Sequence, residues 1–218
     1  MLALYGHPFS SYTWKAQIAL HALRIEYDFR ALDDDHPEHG LFVQQNAGPQ
    51  GKFPVLVHDE RVVFEATSII EYLNLQFPGD PPLIPGDADA AVAMRRLDRV
   101  FDNDVMNLMQ GTVAEFMLNP QNPDPAILAR VGAGLRKSYA WLDRWLEGYG
   151  SAGDHITLIE CAAAPSLFYA DWVEHITDDF PRLKAWRRHL NALPEVSRCI
   201  EAARPFRAWF PPGAPERD

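Results

Sequence analysis

The sequence predicts two units: a small α/β sandwich over residues 1–79, followed by an all-helical unit over residues 88–208. Three observations predict this. Short strand-like and helix-like runs alternate up to about residue 80; a Pro-rich stretch, PGDPPLIPGD, then interrupts the chain; beyond it, apolar residues recur only at helical spacing.

LALYG, with Leu2, Leu4 and Tyr5, opens the chain as a buried strand. A helix from about Tyr12 to Leu23 follows, marked by Ala16, Ala19, Leu20 and Leu23, and EYDFRAL supplies a second strand. The polar segment DDDHPEHG leads to a short helix around Leu41 to Gln45. FPVLV and RVVF, joined by HDE, form a hairpin, and Ile69, Ile70, Leu73 and Phe77 mark a helix that FPGDPP ends. The resulting order is β-α-β-α-β-β-α, a parallel crossover followed by an antiparallel hairpin. It is the order of a thioredoxin-like sandwich.

In the second half Met94, Leu97, Phe101, Val105 and Leu108 share one helical face, and Leu135, Tyr139, Leu142 and Leu146 share another. ECAAAPSLFYADWV, PRLKAWRRHLNAL and PEVSRCIEAA add three helices, and PPGAPERD reads as a frayed tail.

The 218 residues carry a formal charge of −10, which argues against nucleic acid as a partner. Charges such as Glu160 in ITLIECAAAP cut the apolar stretches well short of a membrane span. Met1 leads straight into a strand without a basic region, so no secretory leader is expected, and Cys161 and Cys199 are read as reduced thiols of a cytoplasmic protein. No metal is expected: HPEH (His36 to His39) sits in an acidic, loop-like setting, and His7, His21 and His58 read as surface residues.

Three local motifs admit a structural and a functional reading. In FSSYTW the hydroxyls stand where a strand hands over to a helix, suited to capping the helix or to holding an anion at its N-terminus. Pro54 opens a strand; a cis Phe53–Pro54 bond would turn the Phe53 backbone outward, free to pair with an extended peptide. Glu65 directly precedes a helix, either as a favourable charge at the dipole or as one half of a site for the ammonium and carboxylate of an amino acid.

Together, SSYTWKAQIAL, NAGPQGKFPVLV, FEATSIIEYL and ITLIECAAAPSLFYADW resemble the glutathione transferase family, and the FSSYTW run is similar to its serine-type, zeta-like members. The resemblance implies glutathione as co-substrate, with Ser10 contacting its sulfur, Ser11 beside it and Tyr5 as the rival hydroxyl. It implies that Lys52, Phe53 and a cis Pro54 hold the tripeptide, and that Glu65 and the amides of Ala66 and Thr67 hold the γ-glutamyl end. Met106, Asn107 and Gln110 on the first helix of the second unit are expected to face the sulfur. Thr157 and Glu160, three residues apart, match a capping box, a structural role.

Two positions depart from the family pattern. Ala66 stands where a serine is usual, and Tyr12 replaces the zeta-type cysteine. With no cysteine before residue 161, the first unit has no thiol for disulfide exchange. The function expected is conjugation of glutathione to a small hydrophobic electrophile. The alternatives are a glutathione-dependent isomerase of the maleylacetoacetate type and a non-catalytic interaction module. The resemblance implies a homodimer, to which the need to cover the aromatic run at residues 12–14 adds support.

Overall fold

The computed structural model describes residues 1–149 and 155–218. Its sheet has the order β2-β1-β3-β4, with β1 (Leu2–Gly6), β2 (Asp28–Ala31), β3 (Val55–His58) and β4 (Arg61–Phe64). β1 runs parallel to β2 and antiparallel to β3, and the β3–β4 hairpin turns through Asp59, whose φ is 54°. Among the described residues no strand follows Phe64.

All of β1 is buried, because both faces of the sheet are covered. Leu2 and Leu4 join the main core, beneath α1 (Ser11–Ala22) and α3 (Ala66–Gln76). Ala3 and Tyr5 point the other way, into a smaller core with Val43 and Ala47 at α2 (Pro37–Asn46). Strand alternation decides which neighbours Tyr5 meets.

Helix α2 starts earlier than the sequence suggests. Pro37, its first residue, fixes the backbone dihedral that a helix start requires, so the HPEH segment is the opening of a helix and not a loop. The histidines are also less exposed than expected: His21 bonds the Glu195 carbonyl at 3.0 Å, and His58 bonds the Tyr72 hydroxyl at 2.8 Å.

α4 (Ala88–Val100) passes through a π-helical segment, Phe101–Met106, into α5 (Asn107–Leu118). α6 (Pro125–Tyr149), α7 (Leu158–Val173), α8 (Pro181–Ala192) and α9 (Pro194–Ala203) complete the helical domain. α7 is buried along nearly its whole length and packs against α1 across the domain boundary. Thr157 and Glu160 form a capping box at its start: Thr157 Oγ1 accepts from the Ile159 amide at 3.1 Å, and Glu160 Oε2 accepts from the Thr157 amide at 2.9 Å. No described helix is long and apolar enough to cross a membrane.

Two expectations fail in this half. Trp14 is fully buried against Phe168 and Tyr169 of the same chain, so it needs no second subunit to cover it. The tail is docked and not frayed. Arg204–Trp209 forms a 3-10 turn, Phe210 is 5% exposed, and Arg217 Nε bonds the buried Asp171 carboxylate at 2.8 Å. Three prolines and a glycine in PPGAPERD concealed an extended strap held by ion pairs.

Candidate active site

The site begins where β1 meets α1. Gly6 ends the strand, and a side chain there would strike the Thr13 hydroxyl at 2.6 Å, so glycine lets α1 start tight against the sheet. The segment between is fixed from both domains. The Trp14 indole donates to the Pro8 carbonyl at 2.6 Å, and the Tyr169 hydroxyl donates to the Phe9 carbonyl at 2.9 Å.

Ser10 is the N-cap of α1, its Oγ accepting from the Thr13 amide at 3.3 Å. Accepting that bond leaves the hydroxyl hydrogen free to donate elsewhere. Capping and anion holding are therefore compatible in one residue. Ser10 and the buried Ser11 both line a cleft of about 600 Å³ between the two domains.

Lys52 and Phe53 line the same cleft, both exposed. The Phe53–Pro54 bond is cis, and Phe53 lies just outside the ladder, which begins at Val55. Glu65 caps α3 through its backbone alone, with φ 67° and ψ 117°, a strained conformation for a residue other than glycine. The side chain is exposed, and the first amides of α3 follow it at Ala66 and Thr67. Ala66 is buried.

Thr67 has a role that the sequence did not suggest. Its hydroxyl accepts from Lys15 Nζ at 3.0 Å and donates to Asp98 at 3.0 Å. Lys15 also bonds Asp102 at 2.8 and 2.9 Å, and Arg99 closes the cluster on Thr67, Asp98 and Asp102. This network, with Lys15 and Asp98 buried and Arg99 half-exposed, ties α1, α3 and α4 together. Burial raises the Asp102 carboxyl above its ordinary range, against the pull of Lys15. A lone lysine at residue 15 reads as solvated, and only Asp98 and Asp102, four residues apart on one helical face, hinted at a partner.

The cleft's far wall is apolar: Met109, Val113 and Met117 of α5, with Tyr169 of α7. Of the three residues expected there, only Gln110 lines it. Met106 is buried in the core at 2% exposure, and Asn107 is exposed and away from the cleft. Within α5 the lining residues Met109, Val113 and Met117 recur at four-residue spacing on one side, and Asn107, two residues before Met109, falls on the opposite side.

Tyr5 also lies elsewhere. It stacks on Phe42 with ring centres 4.5 Å apart, and Arg30 donates to its hydroxyl at 2.8 Å, on the α2 side of the sheet. His7, passed over as a surface residue, lines the cleft in its place. Its Nδ1 accepts from the Phe9 amide at 3.1 Å and its ring stacks on Trp209 at 5.6 Å, while burial lowers its pKa from 6.5. Trp209, Phe210 and Pro211 of the strap form the remaining wall. Among the described residues no group of three or more His, Cys, Asp or Glu side chains could hold a metal. Cys161 and Cys199 are both buried, and burial pushes both thiols up.

Residues 4–81 match the model of the glutathione S-transferase N-terminal domain, and residues 125–189 match that of the C-terminal domain. A glutathione S-transferase 1 from Dianthus caryophyllus is 26% identical over 76% of each chain. A maleylpyruvate isomerase from Ralstonia is 25% identical over 94% of this chain and 99% of its own. A glutathione S-transferase from Methylobacillus flagellatus, solved with glutathione bound, superposes with a TM-score of 0.78 at 22% identity, covering 91% of this chain and 98% of that one.

Proposed function

The chain belongs to the glutathione S-transferase family, and from that premise we propose that it ionises glutathione at the N-terminus of α1 for attack on a small, uncharged electrophile. The observation that carries this reading is the position of Ser10 and Ser11: they stand at a helix N-terminus and line one cleft with an apolar wall opposite.

A free thiol of this kind has a pKa of about 8.5, so little is thiolate at neutral pH. A donated hydroxyl and the positive end of the α1 dipole both favour the thiolate. Lowering the pKa by about two units takes roughly 2.7 kcal/mol, within reach of one charge-assisted bond plus the dipole. Ser10 acts as a donor and not as a nucleophile. Lys52 and the Phe53 backbone hold the tripeptide, and Glu65 with the Ala66 and Thr67 amides holds its γ-glutamyl end. The Thr67 hydroxyl is already engaged with Lys15 and Asp98, so that residue contributes its amide. Loss of the usual serine at position 66 weakens this end of the site without removing it.

The isomerase name carried by the Ralstonia relative describes work on a dicarboxylate. Among the described residues lining the cleft, Lys52 is the one lysine or arginine, and glutathione engages it. A second anionic substrate would meet an apolar wall without a counter-charge. Conjugation of an uncharged electrophile therefore fits the cleft better than isomerisation. We further place the protein in the cytoplasm, reduced and as a homodimer, with residues 1–79 and 88–208 as its two domains. Leu75 of α3 and Val92 of α4, 74% and 64% exposed, are apolar surface that a partner would cover.

The test is retention on immobilised glutathione, followed by turnover of an electrophile panel across pH by wild type, Ser10→Ala and Ser11→Ala. The expected result is retention, with the acid limb of the Ser10→Ala profile moved towards the free thiol and turnover at neutral pH lower by about one to two decades. An unmoved profile in both variants overturns the assignment of the sulfur contact. Retention without turnover of any electrophile makes the chain a binding module.

A further inference from the structure

Helix α6 carries a surface feature that the cleft does not use. None of its residues lines the cleft; it packs against α5, α8 and the π-helical segment and leaves its outer side to solvent. Arg130, Lys137 and Arg144 stand on that side, all exposed and spaced seven residues apart. Seven residues make nearly two helical turns, so the three cations form a row with about 10 Å between neighbours. Among the described residues no hydrogen bond or ion pair engages any of them. The two acidic side chains of α6, Asp143 and Glu147, are both committed to Arg182, and its remaining cation, Arg136, holds Glu174. Trp141, 42% exposed, lies within the row, four residues after Lys137 and three before Arg144.

The chain as a whole carries −10, so this row is a local reversal of its charge. The overall charge repels a nucleic acid or an anionic bilayer, and a bilayer recruits clusters of about four to eight cations, more than stand here. Exposed tryptophan and arginine are instead the residues that anchor protein interfaces. Spacing then selects the form of the partner. An extended acidic segment repeats its side chains on one face at about 7 Å, out of step with the row. A helix repeats every seventh residue at the same distance of about 10 Å. We propose that the outer side of α6 is a docking surface for an acidic helix of another protein. Its carboxylates recur at every seventh residue and meet Arg130, Lys137 and Arg144, and an apolar side chain beside them covers Trp141. Nothing in this depends on the cleft, so its failure would leave the glutathione reading intact.

The probe is a fluorescent, helix-stapled peptide of three heptads, with glutamate at every seventh position and leucine beside it. Fluorescence anisotropy compares it with the same peptide carrying lysine for glutamate, with duplex DNA and with phosphatidylserine vesicles. Wild type is expected to prefer the acidic peptide, and to hold it less tightly as salt is raised. The triple variant Arg130→Glu, Lys137→Glu, Arg144→Glu should bind it about ten- to a hundredfold more weakly, the loss of three exposed ion pairs. The same variant should gain the lysine peptide, which a misfolded chain would not. Trp141→Ala should weaken the acidic peptide by about tenfold. Equal affinity of wild type for the two peptides, or an acidic peptide held unchanged by the triple variant or by Trp141→Ala, overturns the proposal. Preference for the DNA or the vesicles assigns the row to phosphate and overturns it as well. So does a dimer that sediments as a monomer only in the triple variant, because a second copy then covers this face.

Discussion

The Nζ of Lys15 lies 2.5 Å from Oδ1 of Asp98, an ion pair between α1 and α4 whose two side chains are closed to solvent. Lys15 is on the helix that presents Ser10 and Ser11, and Asp102 and Arg99 complete the cluster. Removing one member of such a pair strands a buried charge.

Lys15→Met is therefore expected to destabilise the fold by about 3 kcal/mol, the lower end of the usual range because Arg99 still reaches both carboxylates. The double variant Lys15→Met, Asp98→Leu should recover much of that loss, since replacing a buried pair with apolar groups is often neutral. Urea unfolding at constant slope measures both. A single-variant loss below about 1 kcal/mol would show the pair to be inert.

Glu65 gives a prediction of opposite sign. Its φ of 67° and ψ of 117° cost the folded chain energy that glycine would not incur. Glu65→Gly should raise stability by about 1 kcal/mol, even after the added freedom of the unfolded chain. The same change should weaken glutathione binding by about tenfold or more, through loss of a charge-assisted contact. Unfolding and calorimetry on one sample decide it. A fall in stability would show that the carboxylate, and not the site, holds this backbone in place.

His7 supplies a pH dependence. Burial lowers its pKa from 6.5, so the folded state favours the neutral ring that stacks on Trp209. A base with a depressed folded pKa contributes stability that is complete above its unfolded value and is lost as pH falls through the folded one. The stack should therefore loosen on acidification, with a midpoint below 6.5. The fluorescence difference between wild type and Trp209→Phe should titrate there, and the same difference measured on a His7→Phe background should stay flat. A midpoint at or above 6.5 would remove burial as the controlling influence.

Much of this was legible in the sequence because it is governed by short-range chemistry. The β3–β4 hairpin, the Thr157–Glu160 capping box, and Ser10 between a strand and a helix each follow from residues within a few positions of one another. Ser10, Ser11, Lys52, Phe53 and Gln110 do meet in one cleft. What failed depended on a register or a distant partner. Met106 and Asn107 are expected at the cleft only as members of the first long helix, and which side of that helix meets the cleft is decided by how it packs: Met106 goes into the core and Asn107 to solvent. Tyr5 was weighed as an active-site hydroxyl because of its place along β1, but its face depends on α2 covering the far side of the sheet. Lys15 looks like a surface residue until α4 brings two carboxylates to it.

The strap carries the last prediction. Asp171 is buried in α7, its Oδ1 accepts from the Ile176 amide at 2.8 Å, and its Oδ2 receives Arg217 at 2.8 Å and Arg187 at 3.3 Å. Burial alone would raise this carboxyl, yet the two guanidiniums and the amide hold it below the usual range. Arg217 is thus one end of a clasp, and between it and α9 run Trp209, Phe210 and Pro211, which wall the cleft. None of the residues expected to touch glutathione lies on that segment. Arg217→Met should therefore free the strap and raise the KM for an apolar electrophile severalfold while leaving the KM for glutathione within about twofold, a change worth only about 0.4 kcal/mol. Arg187 remains on Asp171, so the fold itself should lose no more than about 1 kcal/mol, as for a partly exposed pair. Steady-state kinetics with each substrate varied in turn give both constants. A matched rise in the two would show that the clasp supports the whole site, and an unchanged electrophile KM would show that the strap holds its place without Arg217.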